Sequence, residues 1–245
     1  DILIGGAGSD TLTTMNVPTT WTLNAISHSL LATGYTLPFS NIETLRGGSD
    51  ADIFQVSGAQ GVSLRGNDGA DQFIFADGAK LPGIFNSIDA KAGNDTLDYS
   101  AYTTPVNVYL TGGIATGVTG GVSGFENVIG SLTAGNIIYG DSGDNILVSG
   151  AGNDILIGYG GDDTYVFDAD APLGNDTIDE QTNGGGIDTI DFSSTTTLGV
   201  SINISISTTQ LVNAKLTLTI LGTIEKVIGT PLADTITGNL VANTI

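Results

Sequence analysis

The chain has 245 residues but no cysteine, one histidine, one tryptophan, one methionine and only six lysines and arginines. Without cysteine there are no disulfides, no thiolate metal site and no cysteine nucleophile. Stability outside a cell must then have another source. A zincin helix needs two histidines, and a Ser-His-Asp triad would have to use His28. Six basic side chains cannot supply the footprint that phosphate demands, which argues against nucleic acid and anionic membranes as partners. No apolar run approaches the length of a membrane-spanning helix, roughly 18 residues or more. A P-loop, a dinucleotide fingerprint and a G-x-S-x-G elbow are all missing. The chain is therefore expected not to be an enzyme.

What is present is uneven. Of 26 acidic residues, 22 are Asp and only Glu43, Glu126, Glu180 and Glu225 are Glu. The formal net charge is −20, and 36 residues are Gly. A solvated acidic surface would use both acids. Asp is favoured where a short carboxylate sits inside a tight turn or reaches a cation. Gly is favoured where backbone is left-handed or crowded. A chain of this charge repels itself unless cations bind.

Internal repetition organises these residues. Residues 140–166 parse into GDSGDNILV (140–148), SGAGNDILI (149–157) and GYGGDDTYV (158–166). Each unit has six turn-forming residues and then a three-residue strand centred on Leu147, Leu156 or Tyr165. The sixth positions, Asn145, Asp154 and Asp163, recur once in every nonapeptide. GGAGSDTLT at 5–13 is a further unit, with Asp10 sixth. Looser copies place Asp52, Asp71, Asp95, Asp176, Asp188 and Asp234 in that position. GSLTAGNII at 130–138 puts Gly135 there, which predicts a break in any row of carboxylates, and the final GNLVANTI puts Asn243 there. GDSGD at 140–144 has the look of a serine-protease loop, but it lies in the repeat register, so Ser142 reads as a turn residue.

These units resemble the RTX (repeats-in-toxin) haemolysin-type nonapeptide, G-G-x-G-x-D-x-U-x, found in large bacterial secreted and surface proteins. The resemblance implies an all-β, right-handed parallel β-roll or β-helix solenoid. It also implies several Ca2+ ions, held by turn carbonyls and sixth-position side chains. The implied ligands are Gly5, Ala7 and Asp10; Gly47 and Asp52; Gly66, Asp68 and Asp71; Asp95; Gly140, Ser142 and Asn145; Ala151 and Asp154; Gly158, Gly160 and Asp163; Asp176; and Asp188.

A longer repeat overlies the short one. GFENVIGS (124–131) matches TIEKVIGT (223–230) and, more loosely, NIETLRGG (41–48). The chain divides accordingly into 1–46, 47–129, 130–228 and 229–245. Antiparallel excursions are expected at about 14–40, 99–122 and 193–222. If two nonapeptides make one coil, same-side turns fall two units apart, as Asn145 and Asp163 do. The interval from Asp52 to Asp71 exceeds two units by a single residue. The interval from Asp71 to Asp95 exceeds it by six, which predicts a protruding loop within 77–87.

Calcium takes six to eight oxygens at about 2.3–2.6 Å, and extracellular modules bind it with Kd of about 10⁻⁴–10⁻³ M. Such sites fill outside a cell, so the expected location is extracellular or the cell surface. The function expected is that of a structural or adhesive module whose copies stack end to end, through Ile2, Leu3 and Ile4 of one against Leu240, Val241 and Ile245 of the next. The alternatives are a carrier module of a type I-secreted enzyme and an ice- or glycan-binding module with a Thr face. Sequons at Asn94, Asn175 and Asn203 leave glycans as possible partners, with Asn203 the best placed.

Overall fold

The computed structural model describes residues 2–24, 27–181 and 184–245. Asp1 of the opening DILI and Asn183, the first residue of the unit at 183–191, lie outside them. The described residues contain 26 β-strands and no helix. Most strands are short, as expected of units in which six of nine residues turn. The chain forms two compact units. One runs up to Tyr102 and takes in Gly112–Asn127; the other is Thr103–Thr111 with Val128–Ile245.

In the first unit, strands Thr19–Leu23, Ile53–Val56, Gln72–Phe75 and Thr96–Asp98 form one parallel ladder, in which Trp21, Phe54, Phe73 and Leu97 are successive partners. A second ladder joins Thr11–Thr13, Thr44–Arg46, Ser63–Asp68, Ile88–Ala92 and Val122–Ser123. Parallel strands lie about 4.8 Å apart, so identical positions stack. Trp21 and Phe54 stack at 5.8 Å and Phe54 and Phe73 at 4.6 Å, with nearly parallel ring planes in both cases. All three rings are fully buried. The circuit from Phe54 to Phe73 is one residue longer than two nonapeptides, and the circuit from Phe73 to Leu97 is longer by six. The longer circuit carries Ile84 and Phe85, which are exposed in the 77–87 segment.

In the second unit, one ladder aligns Leu147, Tyr165, Ile190 and Val227. The other aligns Val108, Ile138, Leu156, Ile178 and Ile220. Leu147 to Tyr165 and Ile138 to Leu156 are both steps of two nonapeptides. Consecutive nonapeptides therefore alternate between the two ladders, two to a circuit. Leu147, Leu156 and Tyr165 are fully buried, as expected of the one large apolar residue in each unit.

The excursions differ from one another. Thr19–Leu23, His28–Ala32 and Tyr35–Ser40 make an antiparallel meander. Gln210–Asn213 turns back on Leu216–Leu221, also antiparallel. At 99–122, Asn107–Tyr109 joins the second unit's ladder in parallel, and the bridge Ala115–Val118 is antiparallel. Val108 supplies the same buried apolar centre as the nonapeptide strands, so it continues their ladder.

Candidate cation-binding rows

The sixth-position side chains point inward and stack into rows. In each row one carboxylate oxygen accepts a hydrogen bond from the backbone N–H of the equivalent residue one circuit earlier. In the first unit Asp52 Oδ1 accepts from Thr19 N (2.7 Å), Asp71 Oδ1 from Asp52 N (2.8 Å), Asp95 Oδ1 from Asp71 N (2.7 Å) and Glu126 Oε2 from Asp95 N (2.8 Å). Glu43 Oε2 takes Asp10 N in the same way, at 2.7 Å. In the second unit one row runs Asn145, Asp163, Asp188, Glu225, at 2.8, 3.0 and 2.9 Å. The other row runs Asn136, Asp154, Asp176, at 2.5 and 2.9 Å. Asp234 Oδ1 likewise takes Val200 N at 2.8 Å.

Two features were missed in the sequence. The slot assigned to Gly135 is held by Asn136, so the row does not break there. GSLTAGNIIY carries one extra residue, and Ile137 pairs with Ile155. The glutamates of the longer repeat are members of the rows: Glu43, Glu126 and Glu225 each cap the preceding sixth residue. Their spacing beside the Asp periodicity was the available signal.

The turn glycines are explained by the same geometry. A Cβ on Gly66 would lie 3.0 Å from Asp71 Cγ, and one on Gly47 3.1 Å from Asp52 Cγ, with the carboxylate oxygens closer still. Gly140, Gly5 and Gly158 face Asn145, Asp10 and Asp163 in the same way. In these units the first position must be Gly because the sixth side chain fills the space where a Cβ would be, whereas Ser149 stands first in the unit of Asp154. Gly161, in the fourth position, has φ of 112° and packs on the backbone of Gly143 one circuit earlier, so it needs both the conformation and the missing side chain.

The remaining implied ligands lie outside these buried rows. Ala7, Asp68 and Ser142 are exposed, and Ala151 and Gly160 are half-buried. Asp68 ends the strand Ser63–Asp68 and is not a row member. These residues offer the row only what their turn backbone offers. A second, outer row uses fifth-position residues that were not singled out: Asp144 Oδ1 accepts from Asp162 N (2.7 Å), and Asp162 Oδ1 from Ile187 N (2.8 Å).

The inner rows are electrostatically incomplete. Asp71, Asp95, Asp154, Asp163 and Asp176 are at most 1% exposed, and the second oxygen of each is buried without a hydrogen-bond partner. Burial raises the pKa of Asp71 to about 6, of Asp95, Asp154 and Asp163 to about 7, and of Asp176 to about 8. The backbone amides oppose that rise; neighbouring carboxylates, such as Asp52 beside Asp71 and Asp188 beside Asp163, add to it. Asp52 is raised for the same leading reason. An ionised carboxylate out of water needs a counter-charge. The ion pair of Lys91 with Asp89 lies elsewhere. The donors are all oxygen, carboxylate or backbone, which is the set a hard cation such as calcium takes.

The family model of the RTX calcium-binding nonapeptide repeat (4 copies) matches residues 1–15 and 134–171. These segments are similar to RTX repeats. They contain Asp10, Asn145, Asp154 and Asp163, and the first-position glycines Gly5, Gly140 and Gly158 that face three of them. Both matched segments coincide with carboxylate rows, and the match supports calcium as their ion. No curated protein matches the chain.

His28, the only histidine, belongs to the meander and packs on Phe39 at a ring distance of 5.5 Å. Burial lowers its pKa, as for a ring held neutral in apolar surroundings. No helix among the described residues is long and apolar enough to cross a membrane.

Proposed function

We propose that this protein is an extracellular structural module, a right-handed β-roll solenoid whose inner rows are completed by calcium, and that it has no enzymatic activity. The orphaned carboxylate oxygens of Asp71, Asp95, Asp154, Asp163 and Asp176 carry this reading. Each of these residues spends one oxygen on the preceding circuit and keeps the other for a cation. Calcium supplies the positive charge that a chain of −20 lacks. The first-position glycines keep the carboxylate in place, and the buried ladders of Leu, Ile and Phe exclude water from it. Because calcium concentration is low inside cells and far higher outside, such a module folds where it works.

The self-assembly reading is supported by exposed apolar strand residues. Leu3–Ile4 forms the edge of its sheet, and Ile2, Ile4, Leu240 and Ile245 are exposed. An open edge is a template for another strand. The test is sedimentation of the purified chain with and without calcium, alongside Leu3→Glu and Val241→Glu variants. Calcium-dependent growth that either variant arrests supports the reading. A monomer at every calcium and protein concentration contradicts it.

A further inference from the structure

Glu180 occupies a place that the circuits on either side of it give to glycine. The strand Gly174–Asp179 pairs with Ile155–Ile157, Ile178 opposite Leu156, and with Leu216–Leu221, Asp179 opposite Leu221. Extending that register by one residue aligns Gly158, Glu180 and Gly222. Gly140 precedes them, because Tyr139 is opposite Ile157. Of the ladder's five circuits, three thus put Gly in this position, the Val108 circuit puts Leu110 there, and one puts a glutamate there. Its side chain enters the space that the glycines leave for the sixth-position carboxylates.

The result is a cluster of acids with no basic partner. Carboxylate oxygens of Asp163, Glu180 and Asp188 all lie within 4.8 Å of one another, and all three residues are buried. Glu180 is 7% exposed and Asp163 fully buried; Glu180 Oε2 and Asp163 Oδ2 have no hydrogen-bond partner. Glu180 Oε1 accepts the hydroxyl of Tyr165, whose oxygen also accepts from Gly158 N. No described Lys, Arg or His pairs with the three acids. A cavity of about 130 Å³ lined by Glu180, Asp188, Glu225 and the glycines at 184–186 reaches the cluster. One water needs roughly 10–15 Å³ of such space, so there is room for an ion and its remaining water ligands.

We infer that Asp163, Glu180 and Asp188 form a three-carboxylate divalent-cation site, created by glutamate in a glycine position and tighter than the sites of the rows. Two oxygens that share a calcium ion, each at about 2.3–2.6 Å from it, can be no more than about 5 Å apart, and these satisfy that limit. Calcium affinity rises with the number of ligand charges. The site shares Asp163 and Asp188 with a row, and so rests on the calcium reading above.

The test is a calcium titration of the whole chain by calorimetry at pH 7.5, repeated with terbium and read by tyrosine-sensitised luminescence. The wild type should show one site at least tenfold tighter than the others. Glu180→Gly restores the residue of the adjacent circuits and should lose that site while keeping the weaker ones. Glu180→Gln keeps the size and removes the charge, and should weaken the tight site if the glycine variant fails to fold. Tyr165→Phe should remove most of the luminescence from the tight site without abolishing binding. Equal binding isotherms for the wild type and both Glu180 variants would overturn this inference and leave the rows standing. A wild type that binds no calcium at all would overturn both.

Discussion

Gly158→Ala perturbs the account at its most crowded point. The added Cβ would lie 2.5 Å from Asp163 Cγ and 2.6 Å from the Tyr165 hydroxyl. Neither neighbour can yield. Asp163 is held by its bond from Asn145 N at 2.8 Å, and Tyr165 by Gly158 N at 2.8 Å. Overpacking costs about 1–3 kcal/mol. Displacing Asp163 strips the buried Asn145 N–H of that bond, at a further cost of about 1–3 kcal/mol. A sum near ~4 kcal/mol is expected, a large part of a typical stability of about 5–15 kcal/mol. At about 2–4 °C per kcal/mol for a chain of this size, the thermal midpoint should fall by roughly 8–16 °C. Gly143→Ala is the control: its Cβ meets nothing nearer than Asp141 Oδ1 at 3.4 Å, and the residue is exposed. That change should stay within about 0.5 kcal/mol. Thermal and urea unfolding of both variants, in EDTA and in calcium, decides the matter. Equal midpoints for the two would refute the claim that sixth-position carboxylates fill the first-position space.

Three other outcomes are expected. Asp71, Asp95, Asp154, Asp163 and Asp176 have folded pKa values above those of the unfolded chain, so their contribution in the calcium-free protein is full below about pH 4 and is lost as pH rises through about 6–8; thermal midpoints in EDTA should decline across that window, whereas a rising midpoint contradicts the burial of these groups. Asp71→Asn keeps a side-chain oxygen for Asp52 N and removes a buried charge, so it should leave the calcium-free midpoint at pH 8 unchanged or higher while reducing the gain from calcium, measured by paired melts. Phe73→Ala empties the stack between Phe54 and Phe125 and should cost about 3–5 kcal/mol in urea unfolding, with or without calcium.

Much of this architecture is legible in the sequence because stacked parallel repeats convert residue spacing into spatial neighbours. The intervals between sixth-position residues, 18, 19 and 24, give the partners of Leu147, Phe54 and Phe73 directly, and the surplus in the last interval locates the exposed Ile84 and Phe85. Legibility ends where a single residue is out of step. Asn136 escaped because the 130–139 unit holds one residue more than a nonapeptide, and counting from its start lands on Gly135. Glu180 escaped because the units around it are irregular; aligning Ile-Asp-Glu at 178–180 with Leu-Ile-Gly at 156–158 would have exposed a glutamate in a glycine column. The burial of the sixth side chains was not legible either. Composition shows an Asp excess, but only backbone geometry reveals that one oxygen of each is committed to an amide and the other is left over.

The measurement that bears most directly on the central claim is the thermal midpoint and far-UV circular dichroism of the chain at pH 7.5 in EDTA and in about 10 mM calcium, roughly a hundredfold above a Kd of about 10⁻⁴ M. For independent sites, each ion then adds roughly 2.7 kcal/mol. Several filled sites should therefore raise the midpoint by tens of degrees, with a gain of β signal and no comparable effect of magnesium. A midpoint and spectrum that are the same in EDTA and in calcium would contradict the account.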